Sequence, residues 1–151
     1  MGLKVLKITD DMRANLLPSL KLYLGAVDSA QDPVLQSCLT NAVLEIQDRA
    51  DASVVSCLLE LRVDNNASKV VRLYQTPSEV MSVQLPDGSD VNYTYEAGQV
   101  VTEGICPSLV IRYTTMPDSF QAARLRALVN QYATALYDGQ TDELAKIIAQ
   151  C

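Results

Sequence analysis

Three pairs of acidic residues are the part of this sequence that comes nearest to a catalytic set. The pairs are Asp10 with Asp11, Asp87 with Asp90, and Asp142 with Glu143. General acid–base catalysis needs two carboxyl groups in different environments within one cleft. These pairs fall instead at predicted helix starts and in a predicted turn, where acidic side chains commonly stabilise local structure. The pattern therefore favours structural roles, and a small carboxylate-dependent hydrolase using Asp87 or Asp90 is the less favoured alternative.

The other residue types that perform catalysis or hold cofactors are scarce. The chain has no His, which is the commonest general base and metal ligand. The four cysteines, at positions 38, 57, 106 and 151, lack the close spacing of zinc ligands. The sequence also contains no phosphate-binding glycine loop and no G-x-S-x-G motif. We therefore predict no enzymatic activity, no cofactor and no metal, with the cysteines acting as small buried hydrophobes in a reducing compartment.

Composition and charge restrict the function further. The 151 residues are 48% hydrophobic and 20% charged, which is typical of a globular protein, and we predict a single domain over 1–151. Eighteen acidic residues against 12 basic ones give a net charge of −6, which argues against a surface that wraps DNA. No apolar run is long enough to cross a membrane, and the first residues are too charged for a signal sequence. These features predict a protein made in a cytosol, without membrane contact.

Helical periodicity marks both ends of the chain. The predicted helices cover about 10–25, 33–50, 118–137 and 142–150. Pro18 should kink the first helix or split it in two. Asp32 and Pro33 read as the cap and the first residue of the second helix. Asp118 with Gln121 resembles a capping box at the start of the third.

Between the second and third helices the hydrophobic period changes to two. The predicted strands lie within about 54–114, beginning with Cys57–Val63 and ending with 108–114. Tight turn signals such as Pro86-Asp87-Gly88 separate them, and short strands joined by tight turns favour antiparallel pairing. The predicted fold class is therefore α+β, a small helical bundle with an antiparallel β-sheet or hairpin insertion between the second and third main helices.

The order of these segments resembles a known family. An apolar strand, Cys57–Val63, precedes a Pro-x-x-V-x-S-V pattern, and a strand ending in Tyr113 leads through Pro117 into a helix with a late tyrosine, Tyr132. The pattern residues are Pro77, Val80, Ser82 and Val83. This arrangement, over roughly residues 18–140, resembles the head–tail connector proteins (adaptor or head-completion proteins) of long-tailed bacteriophages.

The resemblance implies a structural virion protein rather than an enzyme. Members of that family form a ring of about twelve subunits that docks under the portal and links the capsid vertex to the tail. The implied partners are other copies of the chain, the portal protein and a tail-terminator or stopper protein. DNA would pass through the ring without sequence-specific binding, and an acidic lining would let phosphates slide. The implied location is the virion neck, after synthesis in the host bacterial cytoplasm. The alternative function is that of another neck module, such as a stopper or tail-completion protein.

Two sets of residues are candidates for contacts in such an assembly. The last predicted helix has a small apolar side that either packs back on its own subunit, which we favour, or docks on the portal. These candidate portal-docking residues are Leu144, Ile147 and Ile148. Basic residues near the third helix fit either a solvated face or ion pairs between subunits, with phosphate or an acidic partner as the less favoured alternative. A tyrosine on that helix also suits contacts between subunits, because tyrosines are frequent in interfaces. The candidate intersubunit residues are Arg112, Arg124, Arg126 and Tyr137.

Overall fold

The computed structural model describes residues 2–25 and 28–151 and has an α+β fold, as the sequence predicts. In chain order the elements are β1 (Gly2–Ile8), α1 (Met12–Asn15), α2 (Leu17–Leu24), a short 3₁₀ turn (Ser29–Gln31), α3 (Asp32–Ala50), β2 (Cys57–Val63), β3 (Val70–Arg72), β4 (Pro77–Gln84), β5 (Tyr93–Glu96), β6 (Gln99–Thr102), β7 (Leu109–Thr115), α4 (Ala122–Asp138) and α5 (Thr141–Ile148). None of the helices among the described residues is long and apolar enough to span a bilayer.

The chain divides into two compact units. The sheet unit comprises residues 2–9 and 56–117, and the helical unit comprises residues 10–25, 28–55 and 118–151. The strands after α3 are thus inserted between helices that belong to one unit, as the hydrophobic periodicities indicate. The organisation of 1–151 as a single domain stays a prediction.

The sheet unit contains two antiparallel sheets, ordered β1-β2-β7-β4 and β3-β6-β5. In the larger sheet, Leu59 of β2 lies opposite Tyr113 of β7, and both side chains are fully buried. In the smaller sheet, Val71 lies opposite Val100, and both are buried. Alternation along β2 and β7 therefore directs Leu59, Leu61, Ile111 and Tyr113 into the core, whereas the exposed residues Arg62 and Arg112 point to the other face.

Strand β1 is absent from the predicted strands, which all lie within 54–114. It pairs with β2 at the edge of the larger sheet, where Leu3 and Val5 lie opposite Leu61 and Leu59. A β-bulge between Val5 and Lys7 interrupts the alternation, so that Leu6 falls out of phase with its neighbours. Because the bulge breaks the period of two, the sequence pattern does not reveal this strand.

The helical unit is built around α3 and α4, which pack against each other. The large apolar side chains that they bury are Leu35, Leu39, Val43 and Ile46 on α3 and Leu125, Leu128 and Val129 on α4. The first predicted helix is split into α1 and α2, as expected from Pro18, which lies in the first turn of α2. Proline is tolerated there because the N–H that it lacks has no partner within the helix.

Two helix starts differ from their predictions. Asp32 already has helical backbone angles (φ −53°, ψ −43°), so it belongs to the first turn of α3 and does not cap it; its carboxylate accepts a hydrogen bond from Lys21 Nζ at 2.8 Å. The third main helix begins at Ala122 rather than 118, since the preceding residues form a turn. Asp118 organises that turn by accepting hydrogen bonds from the backbone N–H groups of Phe120 (2.9 Å) and Gln121 (3.0 Å).

Candidate assembly surfaces

The outward face of the larger sheet carries a group of cations. Strand register places Lys4 opposite Glu60, and Glu60 opposite Arg112, on three successive strands. Lys7 and Arg62 lie on the same face, because side chains of one strand alternate between faces and the bulge restores the phase of Lys7. All four cationic residues are exposed. We name Lys4, Lys7, Arg62 and Arg112 the basic face.

A buried carboxylate lies in the middle of the basic face. Glu60 is only 5% exposed, and its Oε1 accepts hydrogen bonds from Arg112 Nε and Nη2, both at 3.3 Å. Its Oε2 lies 3.6 Å from Arg62 Nε. A carboxylate withdrawn from water needs such partners, and Arg112 and Arg62 supply them to Glu60. Arg112, predicted as an intersubunit residue, is therefore also engaged within its own subunit.

The other predicted intersubunit residues belong to the helical unit, whereas Arg112 belongs to the sheet unit. Arg124 donates from Nη1 to the carbonyl of Gln150 at 2.7 Å and from Nη2 to Gln121 Oε1 at 2.8 Å. It thereby ties the start of α4 to the residues that follow α5. Arg126 is exposed on α4, and Tyr137 is half-buried near the end of that helix.

The candidate portal-docking residues line the inner side of α5, which packs on α4. Ile147 is buried at 5% exposure, whereas Leu144 and Ile148 are half-buried. This geometry matches the packing-back arrangement that we favour, in which the apolar side of α5 covers its own subunit. A role for these three residues in portal docking stays a prediction.

Sequence reasoning missed the most exposed apolar side chain that the structure describes. Phe120, the only phenylalanine of the chain, is 97% exposed in the turn before α4. The sequence interpretation placed it in the first turn of the helix predicted over about 118–137. Little in the sequence signals this exposure, because Met116 and Ala123 stand at helical spacing from Phe120 and continue an apolar pattern through it. An aromatic side chain left in water is an anchor available to a partner surface.

Other large apolar side chains are exposed on both units. In the sheet unit they are Leu6, Val70, Met81, Ile105 and Met116, and in the helical unit Leu22, Tyr23, Val34 and Phe120. Leu22 and Tyr23 are adjacent on α2, with exposures of 84% and 55%. Single exposed apolar residues are ordinary, but several on each unit favour a chain that buries surface against partners.

The carboxylates of the hydrolase alternative are used in local structure. Asp87 Oδ1 accepts a hydrogen bond from the backbone N–H of Ser89 at 2.8 Å, and hydrogen bonding to Ser89 lowers the pKa of Asp87. Asp90 Oδ1 accepts from Gln84 Nε2 at 3.1 Å. Both acids are exposed. A general acid needs a raised pKa in a cleft, so this turn does not favour hydrolysis.

The cysteine thiols are likewise poorly suited to act as nucleophiles. Cys57 is buried, whereas the other three cysteines are half-buried, so only one fully matches the expected burial. Burial raises the pKa of the Cys38 and Cys151 thiols, which keeps them protonated and weakly nucleophilic. Within residues 2–25 and 28–151, no three His, Cys, Asp or Glu side chains are grouped to hold a metal ion.

Comparison with solved structures shows the same fold in a gene transfer agent (GTA) particle. The neck of the empty particle, computed with C6 symmetry, contains a chain that matches with a TM-score of 0.66 and 17% identity. The neck of the native particle, computed with C12 symmetry, and the virion of the native particle each give a TM-score of 0.66 and 18% identity. Each match covers 91% of this chain and 84% of that chain. The chains share one fold. No family model and no curated protein matches this sequence.

Proposed function

We propose that this chain is a structural subunit of the neck of a phage-like particle, where it forms the head–tail adaptor ring. The observation that carries the proposal is the likeness of fold over 91% of the chain to chains of GTA neck structures. The order of strands and helices in the sequence, which resembles that of head–tail connector proteins, also supports it. The C6 and C12 symmetries of those necks favour self-association into a ring.

The surface of the chain suits such a role. A ring built from one chain uses head-to-tail contacts, in which two different surfaces of each subunit meet. Exposed apolar side chains on both units, with Phe120 and Leu22 the most exposed, provide surface to bury in those contacts. The Asp87 and Asp90 carboxylates discussed above form local hydrogen bonds, which agrees with a function that needs no catalytic set.

In the proposed assembly the ring docks under the portal protein and offers a tail-terminator or stopper protein a place to bind. DNA passes through the ring without sequence-specific contacts. The net charge of −6 supports this, since a channel lined by acidic side chains does not retain phosphates. The protein is made in the host bacterial cytoplasm and ends in the virion neck.

Negative-stain electron microscopy of the purified protein, with and without the portal protein of the same particle, tests the proposal. We expect rings in at least the sample that contains portal, stacked coaxially on the portal ring. A protein that stays monomeric and unbound in both samples would overturn the proposal. Binding to a tail protein but not to the portal would identify a tail-completion module instead.

A further inference from the structure

The basic face concentrates positive charge in an acidic chain. It holds four of the 12 basic residues, whereas the chain as a whole has a net charge of −6. Two carboxylates share this side of the sheet. Glu60 is buried between two arginines, and Glu79 lies on the opposite edge strand, across from Thr114. Lys4 and Lys7 lie on edge strand β1, where Lys4 is across from Glu60, and both are exposed; they form the exposed edge of the basic face.

Negative charge is concentrated in the helical unit. That unit contains 11 of the 18 acidic residues but six of the 12 basic ones. Several of its acids have local roles: Asp11, Asp28 and Asp118 accept backbone hydrogen bonds in caps or turns, and Asp32 and Glu45 form ion pairs. Their charges are therefore partly used within the subunit.

The segment that joins α4 to α5 is different. Every residue from 138 to 143 is exposed, and the segment carries Asp138, Asp142 and Glu143. One cation lies close by, Lys146, whose Nζ is 3.2 Å from Glu143 Oε1. We name residues 138–143 the acidic turn.

We propose that the basic face of one copy binds the acidic turn of the next copy in the ring. This inference rests on the proposed function, because it assumes self-association, and it specifies which two surfaces meet. A head-to-tail ring requires two different and complementary surfaces on each subunit. The basic face and the acidic turn meet that requirement through charge, which selects the partner and fixes its register.

A second copy fits the basic face better than DNA does. Binding a duplex at physiological salt typically uses about 6–10 phosphate contacts from clustered cations. The basic face offers four cations, and Arg62 and Arg112 already share the Glu60 carboxylate. The acidic remainder of the chain would repel a phosphate backbone. The three carboxylates of the acidic turn on another copy are a smaller group of charges, comparable in size to the basic face.

Charge reversal on each side tests the pairing. Lys4→Glu/Lys7→Glu reverses the exposed edge of the basic face and leaves Arg62 and Arg112 beside Glu60. Asp138→Lys/Asp142→Lys reverses the acidic turn. We expect each double variant to weaken ring formation roughly tenfold or more, because like charges then face each other. The chain that carries all four substitutions should regain rings, because opposite charges again meet.

Lys69→Glu/Arg72→Glu is the matched control, since it reverses two exposed cations at the smaller sheet. It should form rings like the unchanged protein. Sedimentation velocity and negative-stain microscopy measure ring formation. The variants are compared under the condition, with or without portal, in which the unchanged protein forms rings. Circular dichroism checks that each variant is folded.

The outcomes separate this inference from the proposed function. Rings that form equally well in both double variants overturn the inference and leave the proposed function standing. Loss of rings in the doubles without recovery in the fourfold variant also overturns it, because the two surfaces then do not meet. Duplex DNA binding that Lys4→Glu/Lys7→Glu abolishes, with rings intact, assigns the basic face to DNA. A protein that forms no rings under any condition overturns both.

Discussion

The hydroxyl of Tyr113 forms two hydrogen bonds with the backbone of Tyr74. It donates to the Tyr74 carbonyl oxygen at 3.0 Å and accepts from the Tyr74 N–H at 3.1 Å. Tyr113 is fully buried in β7, and Tyr74 follows β3, which belongs to the other sheet. One side chain thus serves as a hydrophobic residue of the core and as a polar link between the two sheets.

Replacing Tyr113 by Phe should lower the free energy of unfolding by about 1–3 kcal/mol. The ring remains in the core, but the backbone groups of Tyr74 lose the hydroxyl that pairs them. Urea unfolding followed by circular dichroism measures the change. Tyr95→Phe is the control, because its hydroxyl makes one longer bond, 3.4 Å to the Pro77 carbonyl, from a half-buried position. An equal loss in both variants would contradict the role of the Tyr113 hydroxyl.

Replacing Gln47 by Met should destabilise the protein by about 2–4 kcal/mol. The Gln47 side chain is fully buried, and its Oε1 accepts from the backbone N–H groups of Val54 (2.8 Å) and Val55 (3.0 Å). Methionine fills similar space but cannot accept these bonds, so two buried donors lose their partner. Thermal and urea unfolding measure the loss.

Gln36→Met is the matched control for Gln47→Met. The buried Oε1 of Gln36 has no hydrogen-bond partner among the described residues, so removing it should be neutral or stabilising. If Gln36→Met were as harmful as Gln47→Met, the volume change rather than the hydrogen bonds would explain both.

Replacing Gly139 by Ala should lower stability by about 1–2 kcal/mol. Gly139 ends α4 with a φ of 70°, and a left-handed conformation is costly for a residue with a Cβ. A Cβ at this position meets no atom within 4 Å, so the cost comes from the backbone alone. Gly104→Ala is the control, since it has equal space without a left-handed φ. Equal melting temperatures for the two variants would refute this account.

Replacing Arg112 by Met should destabilise the sheet unit by about 1–2 kcal/mol. Glu60 would keep its charge in a buried position with only the longer contact to Arg62. Adding Glu60→Gln to Arg112→Met should recover part of the loss, because the buried charge is then removed. A double-mutant cycle followed by urea unfolding measures the interaction free energy between Glu60 and Arg112. Strictly additive losses of stability would show that the two residues do not stabilise each other.

Replacing Phe120 by Ser should leave the free energy of unfolding within about 0.5 kcal/mol, because the side chain makes almost no contact within the subunit. If Phe120 is an anchor in the proposed ring, the same change should weaken ring formation about tenfold or more. Sedimentation velocity measures it, with Phe120→Leu as the apolar control. Unchanged assembly by Phe120→Ser would remove this residue from the interface.

Several parts of the fold follow from local sequence. Pro18 splits the first helix as expected, and the change of hydrophobic period after α3 marks the strand region correctly. Gly139 ends α4 in the left-handed conformation that glycine favours. These features depend on the preferences of neighbouring residues, so a short stretch of sequence is enough to reveal them.

The sequence by itself determined the α+β class, the order of the main helices and strands, and the scarcity of catalytic residue types. The tertiary structure decided which charges meet: Asp32 pairs with Lys21 instead of capping its helix, and Glu60 lies buried beside Arg112. It also decided that β1 joins the larger sheet and that Phe120 stays in water. Strand register and burial depend on segments far apart in the chain, whereas helix and strand periods are local.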